Sequence, residues 1–299
     1  APRFGFAWRV GGGNRMVVRG GYGIFHGSAR TDSIRQDLAV VYPFSVIQTF
    51  NRQANNPNFI TLKAPFRSAR GTLEGVNNSF GHELRAPAQN LQSWNLTIER
   101  QVGATAAVEI AYVGSKGTHL PRKYNINQPF RRPELRMANG NFPRPYLGFN
   151  DIQYYGYGSN SSYNAGILSF RRRFTRGFFY RVNYVYSKSI DEASQIAGAG
   201  AGGYSGAQDS RNLKLERGRS DWDNGHSLVM SFSYETPRTI RRPLRNWQLS
   251  STARMYTGQP FTPKVSNVDL NLGEANRPDR IAKGRLDVRT PELWFDLAA

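Results

Sequence analysis

The chain has 299 residues, no cysteine, and 40 Lys+Arg against 21 Asp+Glu, a formal charge of +19. Without thiols there are no disulfides, thiolate metal centres or cysteine nucleophile. The cationic surplus, mostly arginine, points to an anionic partner such as nucleic acid, lipid phosphate or an acidic solute.

Aromatics at 13% and 30 glycines suit sheets with many turns. Mean hydropathy is −0.57, and no run approaches the apolar length of a transmembrane helix. A membrane barrel has the same low average, because its inner face and loops are polar. Residue 1 opens directly into a strand pattern with no signal segment, which reads as a processed form or an internal part of a longer protein.

Eight stretches alternate apolar and polar residues, and they come as four hairpins. The first pairs 3–10 with 16–25. Phe4, Phe6 and Trp8 share one face, and Met16, Val18, Tyr22 and Ile24 share a face of the returning arm. Alternation with period two is the mark of a strand with one greasy face and one wet one. Gly20, Gly21 and Gly23 inside that arm mark a bend or a close backbone approach. A long polar stretch follows, about 27–90. The second hairpin pairs 91–101 with 106–115. Trp94, Leu96 and Ile98 oppose Asn95, Thr97 and Glu99, and Val108, Ile110 and Tyr112 oppose Glu109. The next long stretch, about 116–163, carries Pro121, Pro129, Pro133, Pro143 and Pro145 and an aromatic run at 149–157. The third hairpin pairs 165–174 with 178–188 across Thr175-Arg176-Gly177. A loop at 189–225 holds a glycine-rich tract at 198–203. The fourth hairpin pairs 226–236 with 247–257, and the tail from 258 onward is polar.

Arms of this length, short turns alternating with long loops, and a greasy face on every arm predict an all-β fold, an antiparallel transmembrane β-barrel. The whole chain, 1–299, belongs to one barrel domain, with short turns on the periplasmic side and long loops outside. Trp8, Phe174, Phe178 and Trp247 then fall near one membrane interface, and Trp94, Tyr112 and Tyr186 near the other, forming two aromatic girdles. A soluble β-sandwich or propeller shares the alternation but not the loop asymmetry, and a propeller would show a longer sequence repeat.

Several stretches resemble TonB-dependent outer-membrane transporters of the Oar-like subgroup. They are Ser93-Trp94-Asn95-Leu96-Thr97-Ile98-Glu99-Arg100-Gln101 with Glu109-Ile110-Ala111-Tyr112-Val113-Gly114-Ser115-Lys116-Gly117-Thr118, then Asn183-Tyr184-Val185-Tyr186-Ser187-Lys188-Ser189, then Arg219-Ser220-Asp221-Trp222-Asp223, then Tyr256-Thr257-Gly258-Gln259-Pro260-Phe261. The resemblance implies a barrel of about 22 strands with an amino-terminal plug, energised by an inner-membrane TonB complex. It also implies that this chain is an internal stretch of about eight strands, without the plug and without a terminal aromatic strand.

Other motifs carry less. Gly198, Gly200 and Gly203 match a dinucleotide fingerprint but lack the flanking strand and helix. Asp221 and Asp223 suggest a loop calcium site, but Phe232 stands where an EF-hand needs glutamate, and pairing with Arg217 and Arg219 is the simpler reading. His26, His82, His119 and His226 lack metal spacing. Glu99 and Glu109 have the character of a glycosidase pair, but solvated carboxylates on an inner face are far commoner. No enzyme, cofactor or metal is expected. The basic clusters are Arg131-Arg132, Arg171-Arg172-Arg173 and Arg241-Arg242, and Arg172, in the lipid phase, would snorkel to phosphate.

The leading expectation is binding and gated uptake of a solute of unknown identity. Arg171, Arg173, Arg181, Arg254, Glu99 and Glu109 would line the path or hold the plug, and Phe149, Tyr154, Tyr155 and Tyr157 would contact solute from the loops. Expected partners are outer-membrane lipid, lipopolysaccharide and the TonB complex, and not nucleic acid. Two alternatives stay open: a self-contained eight-stranded barrel with a structural or adhesive role, and a soluble basic β protein that binds polyanions.

Overall fold

The computed structural model describes residues 2–13, 15–27, 47–48, 73–74, 79–130, 133–138, 140–194, 207–237, 239, 243, 245–263, 277–284, 286–287, 290, 293 and 295–296. The glycine tract at 198–203 and the pairs Arg131-Arg132 and Arg241-Arg242 lie outside them.

Eight strands form one wall: β1 (Arg3–Arg9), β2 (Met16–Gly27), β3 (Gln89–Val102), β4 (Ala106–Asn125), β5 (Ile152–Thr175), β6 (Phe178–Asp191), β7 (His226–Glu235) and β8 (Gln248–Tyr256). Each is antiparallel to the next in chain order. The order is linear, so β1 and β8 are opposite edges and do not pair with each other. Two short strands join the sheet at its long-loop end. Gly218–Arg219 pairs antiparallel with β6, and Ser79–His82 pairs parallel with the start of β5. Ile47–Gln48 and Leu73–Glu74 form a separate ladder. No α-helix occurs among the described residues.

The register turns the alternation into rows. Val18, Ile98, Ile110, Leu168, Tyr184 and Leu228 lie side by side across the wall. One residue along, the row reads Val17, Glu99, Glu109, Ser169, Asn183 and Val229, flanked by Arg9 and Arg254 at the edges. The greasy rows are not buried against a second layer. Phe4 is 68% exposed, Trp8 59%, Ile110 58% and Leu249 62%. A sandwich would have hidden this face, whereas a bilayer is the solvent it fits.

The short turns step along the wall. The row of Arg9 and Val17, where the first hairpin ends, meets β3 at Glu99, short of the end of β3 at Val102, and the third hairpin closes further along still at Thr175 and Phe178. The strands are therefore sheared against one another, as a tilted barrel wall requires. Glycines let rings lie flat across neighbouring strands. The Phe6 ring covers Gly20 and the Trp94 indole covers Gly114, where any Cβ would collide with the ring. These are the close approaches that in-strand glycine signals.

Two strands depart from the sequence expectation. β4 runs 20 residues and β5 24, far beyond the 106–115 and 165–174 arms, so both rise past the bilayer on the long-loop side. Register shifts between Gly117 and Leu120 and between Leu120 and Arg122 interrupt them, with Pro121 seated in the irregularity.

The third hairpin closes on Arg176-Gly177, with φ of +53° and +78°. Two left-handed residues between directly paired strand ends are what a type I′ turn needs. A Cβ on Gly177 would also sit 2.5 Å from the Glu235 carbonyl oxygen, and the Gly177 carbonyl accepts from the Glu235 amide. Gly177→Ala should therefore destabilise the barrel by about 2 kcal/mol. Urea unfolding from liposomes reads this directly, and an unchanged midpoint would refute it.

Candidate functional site on the polar face of the wall

Where β2, β3, β4 and β5 approach their short turns, the polar face opens into a cleft of about 270 Å³. Arg15, Arg19, Glu99, Gln101, Arg171 and Arg173 line it, over a floor of Val17 and the small residues at 104–107. Strand register assembles it. Val17 pairs with Glu99, Arg19 with Thr97, and Ala107 with Arg171, so side chains distant in sequence project from adjacent rungs. Alanine opposite Arg171 leaves the room that a larger side chain would fill.

Glu99 is the hub. One carboxylate oxygen accepts a hydrogen bond from Nη2 of Arg171, and the other lies 3.5 Å from Nη1 of Arg19. Arg15 and Arg173 find no acidic partner among the described residues. Four arginines thus line a cleft that holds one carboxylate, and two of them engage it. Two more charges adjoin the cleft without lining it: Glu109 directly across from Glu99, and Arg181 directly across from Arg171. Like charges opposite one another are unfavourable. For Glu99 its two arginines offset this, but the Arg171–Arg181 pairing has only Glu99 to relieve it.

Of the six residues expected on the inner path, Arg171, Arg173 and Glu99 converge, Glu109 and Arg181 flank them, and Arg254 stands on the β8 edge opposite Val229, remote from the cleft. Arg15 and Arg19 complete the site and were not singled out from sequence. The signal for Arg19 was present, because it occupies the wet phase beside Val18. Arg15 lies at the turn, where no periodicity marks it.

The apolar face carries its aromatics at the two ends. Trp8, Phe178 and Trp247 lie beside short turns, with the Trp247 indole donating to the Pro243 carbonyl at 2.8 Å and Phe178 packed on Tyr234. Phe174 is half exposed at the irregularity closing β5. Toward the long loops, Trp94, Tyr112 and Tyr186 occupy adjacent rows. Their neighbourhood is polar at its tips. The Tyr112 hydroxyl donates to Asn164 at 2.6 Å, the Tyr22 hydroxyl donates to Gln92 at 3.1 Å, and Tyr184 bonds His226 at 2.7 Å. Apolar ring bodies with satisfied polar tips at each end of a greasy band fit headgroup depth.

Comparison with known proteins agrees with this geometry. The model of the outer membrane beta barrel domain family matches residues 1–299. The chain belongs to that family. It is an outer-membrane β-barrel protein. No curated protein matches it. Among solved structures it is similar to the FrpB iron transporter from Neisseria meningitidis (F3-3 variant), at 12% identity and a TM-score of 0.43, over 85% of this chain and 26% of that one. It is also similar to the outer membrane transporter YddB from Escherichia coli, at 10% identity and a TM-score of 0.45, over 84% of this chain and 32% of that one. The barrel segment thus spans about a quarter to a third of those chains.

Beyond the bilayer, the barrel's outer surface corrects the expected loop contacts. Tyr154, Tyr155 and Tyr157 belong to β5 and not to a loop. Tyr155 and Tyr157 are buried, at 4% and 3% exposure, so their rings pack inside the wall extension rather than reach for solute. Tyr157 bonds His82 through its hydroxyl at 2.9 Å, and its amide donates to the Glu83 carboxylate at 2.8 Å. Lys123 sits over the rings of Phe80 and Tyr155. Burial first, and the Glu83 carboxylate second, hold the phenols of Tyr154 and Tyr157 above their usual range. Phe149 stays half exposed, and its carbonyl accepts from Asn127.

The acidic loop is structural as well. Asp223 is buried, accepts from Arg219 Nε at 2.6 Å and caps the Ser189 amide at 2.7 Å. The described residues hold no cluster of three or more His, Asp or Glu suited to a metal. Gln128 and Arg211 tie the loop after β4 to that after β6, and Arg277 grips Glu216 with both terminal nitrogens.

Proposed function

We propose that this barrel domain is a wall segment of a TonB-dependent transporter that takes up a solute across the outer membrane. The observation that carries the reading is the linear strand order, with β1 and β8 as opposite unpaired edges. Open edges are not tolerated in lipid, and in this reading further strands continue the wall on both sides. The motif resemblance and the arginine-lined inner face support the same reading. The inner face would line the solute path or hold a plug, the loops outside would capture solute through exposed groups such as Phe149, and the energy would come from the TonB complex. Lipopolysaccharide and phospholipid would surround the greasy face, with Arg172 reaching toward phosphate.

The eight-stranded alternative makes an opposite prediction that the absence of cysteine renders easy to test. Cysteines at Ala7 together with Ser250, Thr252 or Arg254 place thiols on the two edges, all in the inner phase. In a larger barrel none of the pairs cross-links in intact cells. Efficient cross-linking of any one pair would show a closed eight-stranded vessel. Transport itself is read by solute accumulation that disappears in cells lacking the TonB complex, and accumulation that persists there would remove the energised mechanism.

A further inference from the structure

We propose that the cleft between Arg15, Arg19, Arg171 and Arg173 is an oxyanion-binding site that takes a phosphate or carboxylate group at the short-turn end of the inner face. Three observations carry it. First, four guanidinium groups face one cleft and Glu99 is the sole carboxylate lining it. Gathered on one cleft, the four cations carry a net positive charge that one carboxylate does not cancel, and a visiting anion would be drawn to it. Second, Glu99 engages only two of the four: Arg171 through a hydrogen bond and Arg19 at 3.5 Å. Arg15 and Arg173 keep their forks unused among the described residues, and a planar guanidinium is matched to an oxyanion that accepts two parallel bonds. Third, the floor at 104–107 is Ala-Thr-Ala-Ala, so a cleft of about 270 Å³ stays open above it, space enough for a small oxyanion and its water.

In this arrangement Glu99 is an internal competitor. It neutralises part of the site and holds Arg171 and Arg19 in place, and an arriving anion recruits Arg15 and Arg173. The site is an equilibrium property of the folded wall and does not depend on transport being TonB-driven.

The test uses the full-length protein in detergent micelles, with inorganic phosphate and citrate titrated calorimetrically at constant ionic strength. Saturable binding is expected, and the tighter of the two ligands identifies whether phosphate or carboxylate is the natural group. Arg173→Gln and Arg15→Gln should each weaken binding about tenfold, and Arg173→Lys should fall between, since it keeps the charge and loses the fork. Glu99→Gln should tighten binding severalfold, a sign that misfolding cannot mimic. Arg85→Gln, in an exposed turn away from the cleft, removes the same charge and should change nothing. Equal competition by chloride, an equal loss in Arg85→Gln, weaker binding in Glu99→Gln, or no saturable binding at all would each overturn the site.

Discussion

Replacing Asn127 with alanine is expected to release the outer loop at 126–151 while leaving the wall intact. Asn127 is fully buried, and its side chain makes four hydrogen bonds. Nδ2 donates to the carbonyls of Tyr146, Phe149 and Asn150 at 3.0, 3.0 and 2.7 Å, and Oδ1 accepts from the Tyr146 amide at 2.7 Å. Arg144 adds bonds to the Asn127 and Asn150 carbonyls and to Asp151. Alanine would remove the partner of the Tyr146 amide and of the Tyr146 and Phe149 carbonyls, while the Asn150 carbonyl keeps Arg144, and each part-buried group left unsatisfied costs about 1 kcal/mol. Together they give a local opening shift of about 3 kcal/mol, about a hundredfold in population. Limited proteolysis should cut between 130 and 148 about a hundredfold faster, with heat-modifiable gel migration of the barrel unchanged. Asn127→Asp separates chemistry from volume: it keeps the shape, loses the donors and turns a charge toward three carbonyls. If Asn127→Asp behaves like the parent, the hydrogen-bond account is wrong.

Asp223→Ala should loosen the outer end of β6. The carboxylate is buried between Arg219 and the Ser189 amide, and the same corner is held by the Ser220 amide on the Ser189 carbonyl at 3.0 Å and by the Ser189–Ser220 hydroxyl pair at 2.8 Å. Removing one member of a buried pair costs about 3–5 kcal/mol. Arg219 is half exposed and recovers water, so about 2–3 kcal/mol is expected here. Hydrogen exchange at Ser189 and Ser220 should accelerate by about one to two orders of magnitude, while exchange at Val182 in mid-strand stays slow. Asp223→Asn keeps one acceptor for the Ser189 amide and should recover about half of the loss. Uniform acceleration along β6 would mean that the corner is not the unit that opens.

The wall was legible because the bilayer imposes one demand on every strand: one face greasy, the next residue wet. Phe178, Tyr180, Val182, Tyr184 and Tyr186 announce β6 from sequence alone, and the phase of Glu99 and Arg171 announces the inner face. The demand ends where the lipid ends. Beyond Gly117, β4 passes through two register irregularities and carries Pro121, and the first turns of β5 are covered on both sides, so no period of two survives and these segments read as loops. The buried state of Tyr155 and Tyr157 was hidden for a related reason: it depends on the strand Ser79–His82 arriving from far away in sequence. The cleft was half legible. Phase identified its walls, but the convergence of Arg15 with Arg173 follows from register, which no single strand states.

The parallel strand Ser79–His82 also sets a timetable. It is made before β3, yet its hydrogen-bonding partner is the first stretch of β5, which lies beyond β3 and β4 in the chain. Three further strands, β3, β4 and β5 itself, must be made before this segment can pair. Until then Phe80, His82 and Glu83 lack the contacts they make with Lys123 and Tyr157 in the finished wall. Whatever the speed at which the hairpins themselves insert, the pairing of Ser79–His82 with β5 is a late, long-range closure.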